Sequence, residues 1–191
     1  MNVRNKVVLG FLGLMLAFVF GCAKAADGPK VVLVDELIQT QTETQKDFLV
    51  RVGTELQDWA AKNKTEACGQ IAANESGNWS VVIVTENAHA ACGEPRGALL
   101  PGYHFIGKTI HVHPQKRTYI VNGYDEAMGD TGLALGQKVP LDPERYSDAD
   151  FASGPGYLVT NGKLYYQHGK GTEEVVAELP PPNVNTVAVA Q

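Results

Sequence analysis

Between Glu43 and Lys62 the apolar residues Phe48, Leu49, Val52, Leu56, Trp59 and Ala60 recur at spacings of three and four. That period lines them along one stripe of an α-helix, and a stripe of that width must be buried against something. Thr42 can cap this helix, with Gln45 three residues on completing a capping box. Only Gly53 interrupts the run, and no proline does. The residues that follow change period. Cys68 to Ala73 and Trp79 to Thr85 are short apolar runs of strand length, and Asn74-Glu75-Ser76-Gly77-Asn78 between them has the chemistry of a hairpin turn. A long one-sided helix feeding paired strands is half of a helix-on-sheet domain.

The rest of the chain extends the sheet. Val31 to Leu37 reads as a strand or the start of a helix, Thr109 to His113 as a strand, and Arg117 to Val121 as another. Asn87 to Tyr103 is a loop rich in Ala, Gly and Pro. Asn122 to Arg145, with many Gly and Asp and with Pro140 and Pro143, reads as a long loop. Ser147 starts a short helix to Ala152, with acids in its first turn. Gly156 to Thr160 and Leu164 to Gln167 form a second hairpin across Asn161-Gly162, and Glu173 to Leu179 adds a strand. Residues 180–191 read as a disordered tail. The expected class is α+β (or α/β), a mixed and mostly antiparallel sheet with flanking helices.

The first residues stand apart. Arg4 and Lys6 precede an apolar run from Val7 to Phe20, and small residues come next. This is the layout of a bacterial signal peptide over residues 1–21. Val19-Phe20-Gly21-Cys22 has the form of a lipobox, which makes Cys22 the lipidated first residue of an exported lipoprotein, periplasmic or anchored to the outer membrane. Ala23-Lys24-Ala25 is a competing site for ordinary cleavage. Residues 22–42 then form a tether and entry segment. With Cys22 set aside, Cys68 and Cys92 are a candidate disulfide in an oxidising compartment, the alternative being a buried thiol and an incidental one. The 191-residue chain has 44% hydrophobic and 19% charged residues, which excludes wholesale disorder. Its net charge of -5 and lack of any basic stripe exclude nucleic acid as a partner.

Chemistry enters at Thr109-Ile110-His111-Val112-His113-Pro114. Two histidines on alternate strand positions send both imidazoles out of one face. Zinc takes His nitrogen and carboxylate oxygen, and a catalytic zinc leaves one position for water. In Tyr146-Ser147-Asp148-Ala149-Asp150-Phe151, Ser147 and Asp150 are three apart and share a helix face, so Asp150 can serve as third ligand beside a Ser147 donor. Glu66, just before a strand, supplies a base, and Gly69 allows close backbone approach. His89, His104 and His168 read as loop or surface residues, Trp59 as core, and Trp79 as hairpin packing.

Glu66-Ala67-Cys68-Gly69, then His111-Val112-His113-Pro114, then Ser147-Asp148-Ala149-Asp150 resemble, in order and kind, the pattern of the JAMM (JAB/MPN) metallopeptidases: a Glu, H-x-H-P, then S-x-x-D. The resemblance spans roughly Glu43 to His168. It implies a cytidine-deaminase-like JAB/MPN architecture over residues 43–179 and one Zn2+ per chain held by His111, His113 and Asp150. It further implies that Glu66 activates the water that is the fourth ligand, and that Ser147 helps hold the tetrahedral intermediate. Two departures stand out. Val112 occupies a position that is usually Ser or Thr in the family. Residues 115–146 form an insertion where the family has a short loop, and Asp125, Asp130 and Asp142 within it are rival third ligands. The implied function is a zinc-dependent peptidase or isopeptidase cleaving an amide bond of the bacterial cell envelope. The competing expectation is a non-catalytic envelope lipoprotein that uses the fold as a binding or scaffold module. A toxin or effector domain is a weaker third.

Overall fold

The helical stripe forms α1 (Gln45–Asn63), but its cap is Thr44 rather than Thr42. The Thr44 hydroxyl accepts from the Asp47 N–H at 3.1 Å, and the Asp47 carboxylate accepts back from the Thr44 N–H at 3.3 Å. Both threonines have the box spacing. Only Thr44 has a carboxylate three residues on, and a negative charge there also meets the positive end of the helix dipole. Lys64, at φ 62, terminates the helix.

This architecture comes from a computed structural model, which describes residues 30–93, 98–128, 133–141 and 146–183. The expected signal peptide at residues 1–21, Cys22, Asp130, Asp142 and residues 184–191 lie outside them. Around α1 the strands are β1 (Val32–Ile38), β2 (Ala67–Ala73), β3 (Trp79–Thr85), β4 (His104–Val112), β7 (Gly156–Thr160), β8 (Lys163–Gln167) and β9 (Glu174–Glu178). They make one seven-stranded sheet in the order β1-β3-β2-β4-β7-β8-β9. The class is therefore α+β, with a mostly antiparallel sheet. The exception is β4 with β7, which run parallel. Parallel neighbours need a long crossover, and here it is the stretch holding β5 (Arg117–Ile120), α2 (Gly123–Ala127), β6 (Lys138–Leu141) and α3 (Asp148–Ala152).

Several expected boundaries move. β4 begins at His104, five residues earlier than expected, and ends at Val112, so His113 sits one residue beyond it. The region expected as a loop from Asn122 contains α2, capped by the Asn122 side chain, and β6. β6 pairs with β5 and carries Pro140 opposite Thr118; a proline is tolerated because this two-stranded pair is all edge. The start of the expected tail is ordered as well. Gln57 Nε2 donates to the Pro180 carbonyl at 2.6 Å, and the Asn183 N–H donates to Asp58 Oδ1 at 2.7 Å. Both bonds lay the segment along α1. Among the described residues no helix is long and apolar enough to cross a membrane.

One face of the sheet carries the main core. Phe48, Leu49, Val52, Leu56 and Ala60 of α1 pack on Ala67, Ile71, Val81, Ile83, Ile110, Val112 and Val159. Each large side chain buried this way contributes about 1.5–3 kcal/mol. At Gly53 a β-carbon would lie 3.4 Å from both Leu179 and Val159, an ordinary packing contact. Gly69 is stricter: a β-carbon there would come within 2.5 Å of Val81 and 2.7 Å of the Val82 carbonyl. The opposite face holds a smaller cluster of Cys68, Val82 and Val84 with Cys92, Ala98 and Leu100. Cys68 and Cys92 are joined there by a disulfide of S–S length 2.01 Å.

Candidate metal centre

Strand alternation does to His111-Val112-His113 what its spacing predicts. Val112 is 1% exposed and faces α1 in the core. Its two neighbours therefore leave by the other face. The apolar residue between the histidines thus anchors the ligand strand. His111 is paired across the ladder with Cys68 on one side and Leu158 on the other. His113 is held past the strand end by its N–H, which donates to the Val159 carbonyl at 3.0 Å.

Asp150 arrives from α3. The Ser147 hydroxyl accepts from the Asp150 N–H at 3.2 Å, and Asp150 Oδ2 accepts from the Ser147 N–H at 2.6 Å. This reciprocal cap fixes the rotamer of Asp150 and aims its carboxylate at the histidines. His111 Nε2 lies 3.1 Å from Asp150 Oδ1, and His113 Nε2 lies 3.7 Å from Asp150 Oδ2. The two imidazole Nε2 atoms are 3.2 Å apart. His111, His113 and Asp150 form a group that can hold a metal ion. A tetrahedral ion with bonds of about 2.0–2.1 Å spaces its ligand atoms roughly 3.3 Å apart; the Nε2–Nε2 separation of 3.2 Å and the 3.1 Å from His111 Nε2 to Asp150 Oδ1 are close to that value, while His113 lies nearer the other carboxylate oxygen. Two nitrogens and a carboxylate oxygen are also a donor set that suits zinc.

Glu66 completes the cluster. It is 6% exposed, and its Oε1 lies 3.8 Å from His113 Nε2. Its main chain is fixed on both sides: its N–H donates to the Ala88 carbonyl at 2.9 Å, and its carbonyl accepts from the buried Thr85 hydroxyl at 2.6 Å. The five residues singled out by motif therefore come together. Three arrive on the β2–β4 side and two on α3.

Burial acts to raise the Asp150 carboxyl, but the hydrogen bond from His111, the positive charges of both imidazoles and the Ser147 amide outweigh it. The result is a carboxyl held well below the ordinary carboxylate range.

Tyr146 is a neighbour that sequence reasoning missed. Its ring meets His111 edge-on, with centroids 6.3 Å apart, and leans on Phe151 at 5.5 Å. Its hydroxyl donates to the Gly156 carbonyl at 3.0 Å. Burial, reinforced by the charge of Asp150, pushes its phenol well above the usual range, so it remains a donor. The available signal was a hydrophobic staple: an apolar residue before the cap, and another four residues after the cap. Tyr146 and Phe151 flank Ser147 in that way.

The other candidates do not reach the centre. Asp125 is 4% exposed, caps α2, and accepts from His89 instead of approaching the histidine pair. His89 lies on a loop, as expected, but is not a solvent-facing residue: its side chain is 16% exposed and stacks on Tyr119 at 4.7 Å. His104 and His168 are exposed. Comparison with protein-family models, with curated proteins and with solved structures gives no match. The family resemblance is therefore carried by the motif residues alone.

Proposed function

We propose that this chain is a JAMM-type, zinc-dependent peptidase or isopeptidase, built on a JAB/MPN-like sheet. The observation that supports this reading is the convergence of Glu66, His111, His113 and Asp150 from separate parts of the chain onto one partly buried point. His111, His113 and Asp150 would hold the ion. Bound there, zinc would lower the pKa of a water molecule toward ~7 and polarise a carbonyl.

The chain's own groups divide the remaining work. The Glu66 carboxylate accepts a proton from the attacking water and returns it to the nitrogen of the leaving amine. The Ser147 hydroxyl donates toward the scissile carbonyl oxygen as that atom gains negative charge. The Tyr146 ring packs beside the His111 imidazole, and the Val159 carbonyl fixes the main chain of His113. The substrate class, a peptide or isopeptide amide, follows from the motif. The signal-like first segment points to the bacterial envelope, and lipidation of Cys22 would tether the enzyme to its membrane.

The test is elemental analysis alongside hydrolysis of an amide library, on wild type and Glu66→Gln. Expected are about one zinc per chain in both and a turnover loss of ~10²–10⁴-fold in the variant. Zinc bound by a wild-type chain that hydrolyses no amide would move the protein to the binding-module class.

A further inference from the structure

The insertion over residues 115–146 is unexplained by the motif, and it grips the segment carrying Glu66 from two sides. Upstream, the Arg117 guanidinium donates to the carbonyl of Lys64, two residues before the base. Downstream, Asp125 takes hold of the loop that follows β3. Its Oδ1 accepts from the His89 N–H at 2.6 Å, and its Oδ2 pairs with His89 Nδ1 at 2.8 Å. The residue before His89 is Ala88, fully buried, whose carbonyl receives the Glu66 N–H. The same loop is tied again by Asn122 Nδ2, which donates to the Asn87 carbonyl at 3.4 Å. Tyr119 of β5 covers the His89 ring. Each contact joins the insertion to Lys64 or to residues 87–89, and those two segments flank the Glu66 backbone.

We propose that residues 117–125 of the insertion form a clamp that sets the general base, with Asp125, His89 and Arg117 as positioning residues for Glu66. This rests on the metallopeptidase reading for its catalytic meaning, while the mechanical claim stands on the hydrogen bonds. A carboxylate that must take a proton and give it back needs placement to within a fraction of an ångström. A displacement near 1 Å can cost about 100-fold in rate. Without the clamp, the two segments that frame the Glu66 backbone would lose these ties beside a strand end, where local opening is easiest.

The experiment uses the full chain and two readouts. In Asp125→Ala, amide exchange at Glu66 should speed up by about tenfold or more while the β2–β3 ladder keeps its protection. kcat should fall about 100-fold, with KM within about twofold and zinc retained. Asp125→Asn, whose amide can still meet His89 in its other tautomer, should recover to within about tenfold of wild type. Because Asp125 also caps α2, a variant that melts early is replaced by Arg117→Met, which releases the other grip and leaves that cap intact. Unchanged exchange at Glu66 would overturn the clamp, and so would a rise in KM at constant kcat. If wild type hydrolyses nothing, the peptidase reading fails by itself, and exchange at Glu66 still decides the clamp.

Discussion

His111 and Asp150 lie within 3.1 Å of each other, yet they are placed by unlike means. His111 sits in the middle of a seven-stranded sheet, with β2 on one side and β7 on the other. Moving it requires breaking a ladder. Asp150 sits on a helix of five residues, none of them buried, and is aimed by one reciprocal cap and one aromatic staple. Moving it requires losing a hydrogen bond or two. The difference shows that a site of this kind can combine a rigid half, as stable as the fold, with an adjustable half. The adjustable half can tolerate a long insertion just upstream, because the cap and the staple that aim Asp150 lie within six residues.

The comparison can be broken most decisively at the ligands themselves. His113→Ala should reduce zinc to background, and Asp150→Ala should weaken it far beyond the ~10–100-fold typical of losing a group behind a ligand. Zinc retained at full stoichiometry by Asp150→Ala would mean that α3 contributes nothing, and elemental analysis of both proteins decides it. A smaller effect is expected at the cap. Ser147→Ala removes the acceptor for the Asp150 N–H, at a cost of about 1 kcal/mol, and should weaken zinc binding roughly tenfold. The same measurement on a variant of the rigid half behind His111, such as Leu158→Val, should show a loss of global stability without a selective loss of metal.

The smallest effect concerns acid and is visible only in metal-free protein. The Asp150 carboxyl is depressed in the fold, so the stability it adds is fully present above its ordinary value of 3.8 and is lost as pH falls through the depressed one. Acid unfolding of Asp150→Asn should therefore part from wild type above the ordinary value and converge with it below. Curves that stay parallel to the lowest pH would show that the fold does not favour the charged form of this carboxyl.

The histidine strand, the two hairpins and the helical stripe were legible because each is set by local period and turn chemistry. Phe48 to Ala60, Asn74 to Asn78 and Asn161-Gly162 needed no knowledge of their partners. The triad was legible by motif, since a cap such as Ser147-Asp148-Ala149-Asp150 is written locally even though its purpose is not. What stayed hidden is long-range. His89 in an Ala-rich loop carries no trace of Asp125, which lies 36 residues away. The order in α2 and β6 was hidden by neighbouring Gly and Pro, which suit a loop equally well. Thr42 and Thr44 offered two capping boxes, and the choice between them fell to a carboxylate.

The parallel partnership of β4 and β7 sets a schedule for the newborn chain. A ribosome delivers both histidines and Glu66 well before it delivers Ser147, Asp150 and the Val159 carbonyl that holds His113. Until the second hairpin has emerged and inserted beside β4, the first 115 residues carry two imidazoles on an unpartnered strand edge. Pairings this far apart in sequence form late. The candidate metal centre thus waits for β7, and a chain cut short between α3 and β7 would carry all three candidate ligands but lack the strand that seats His113.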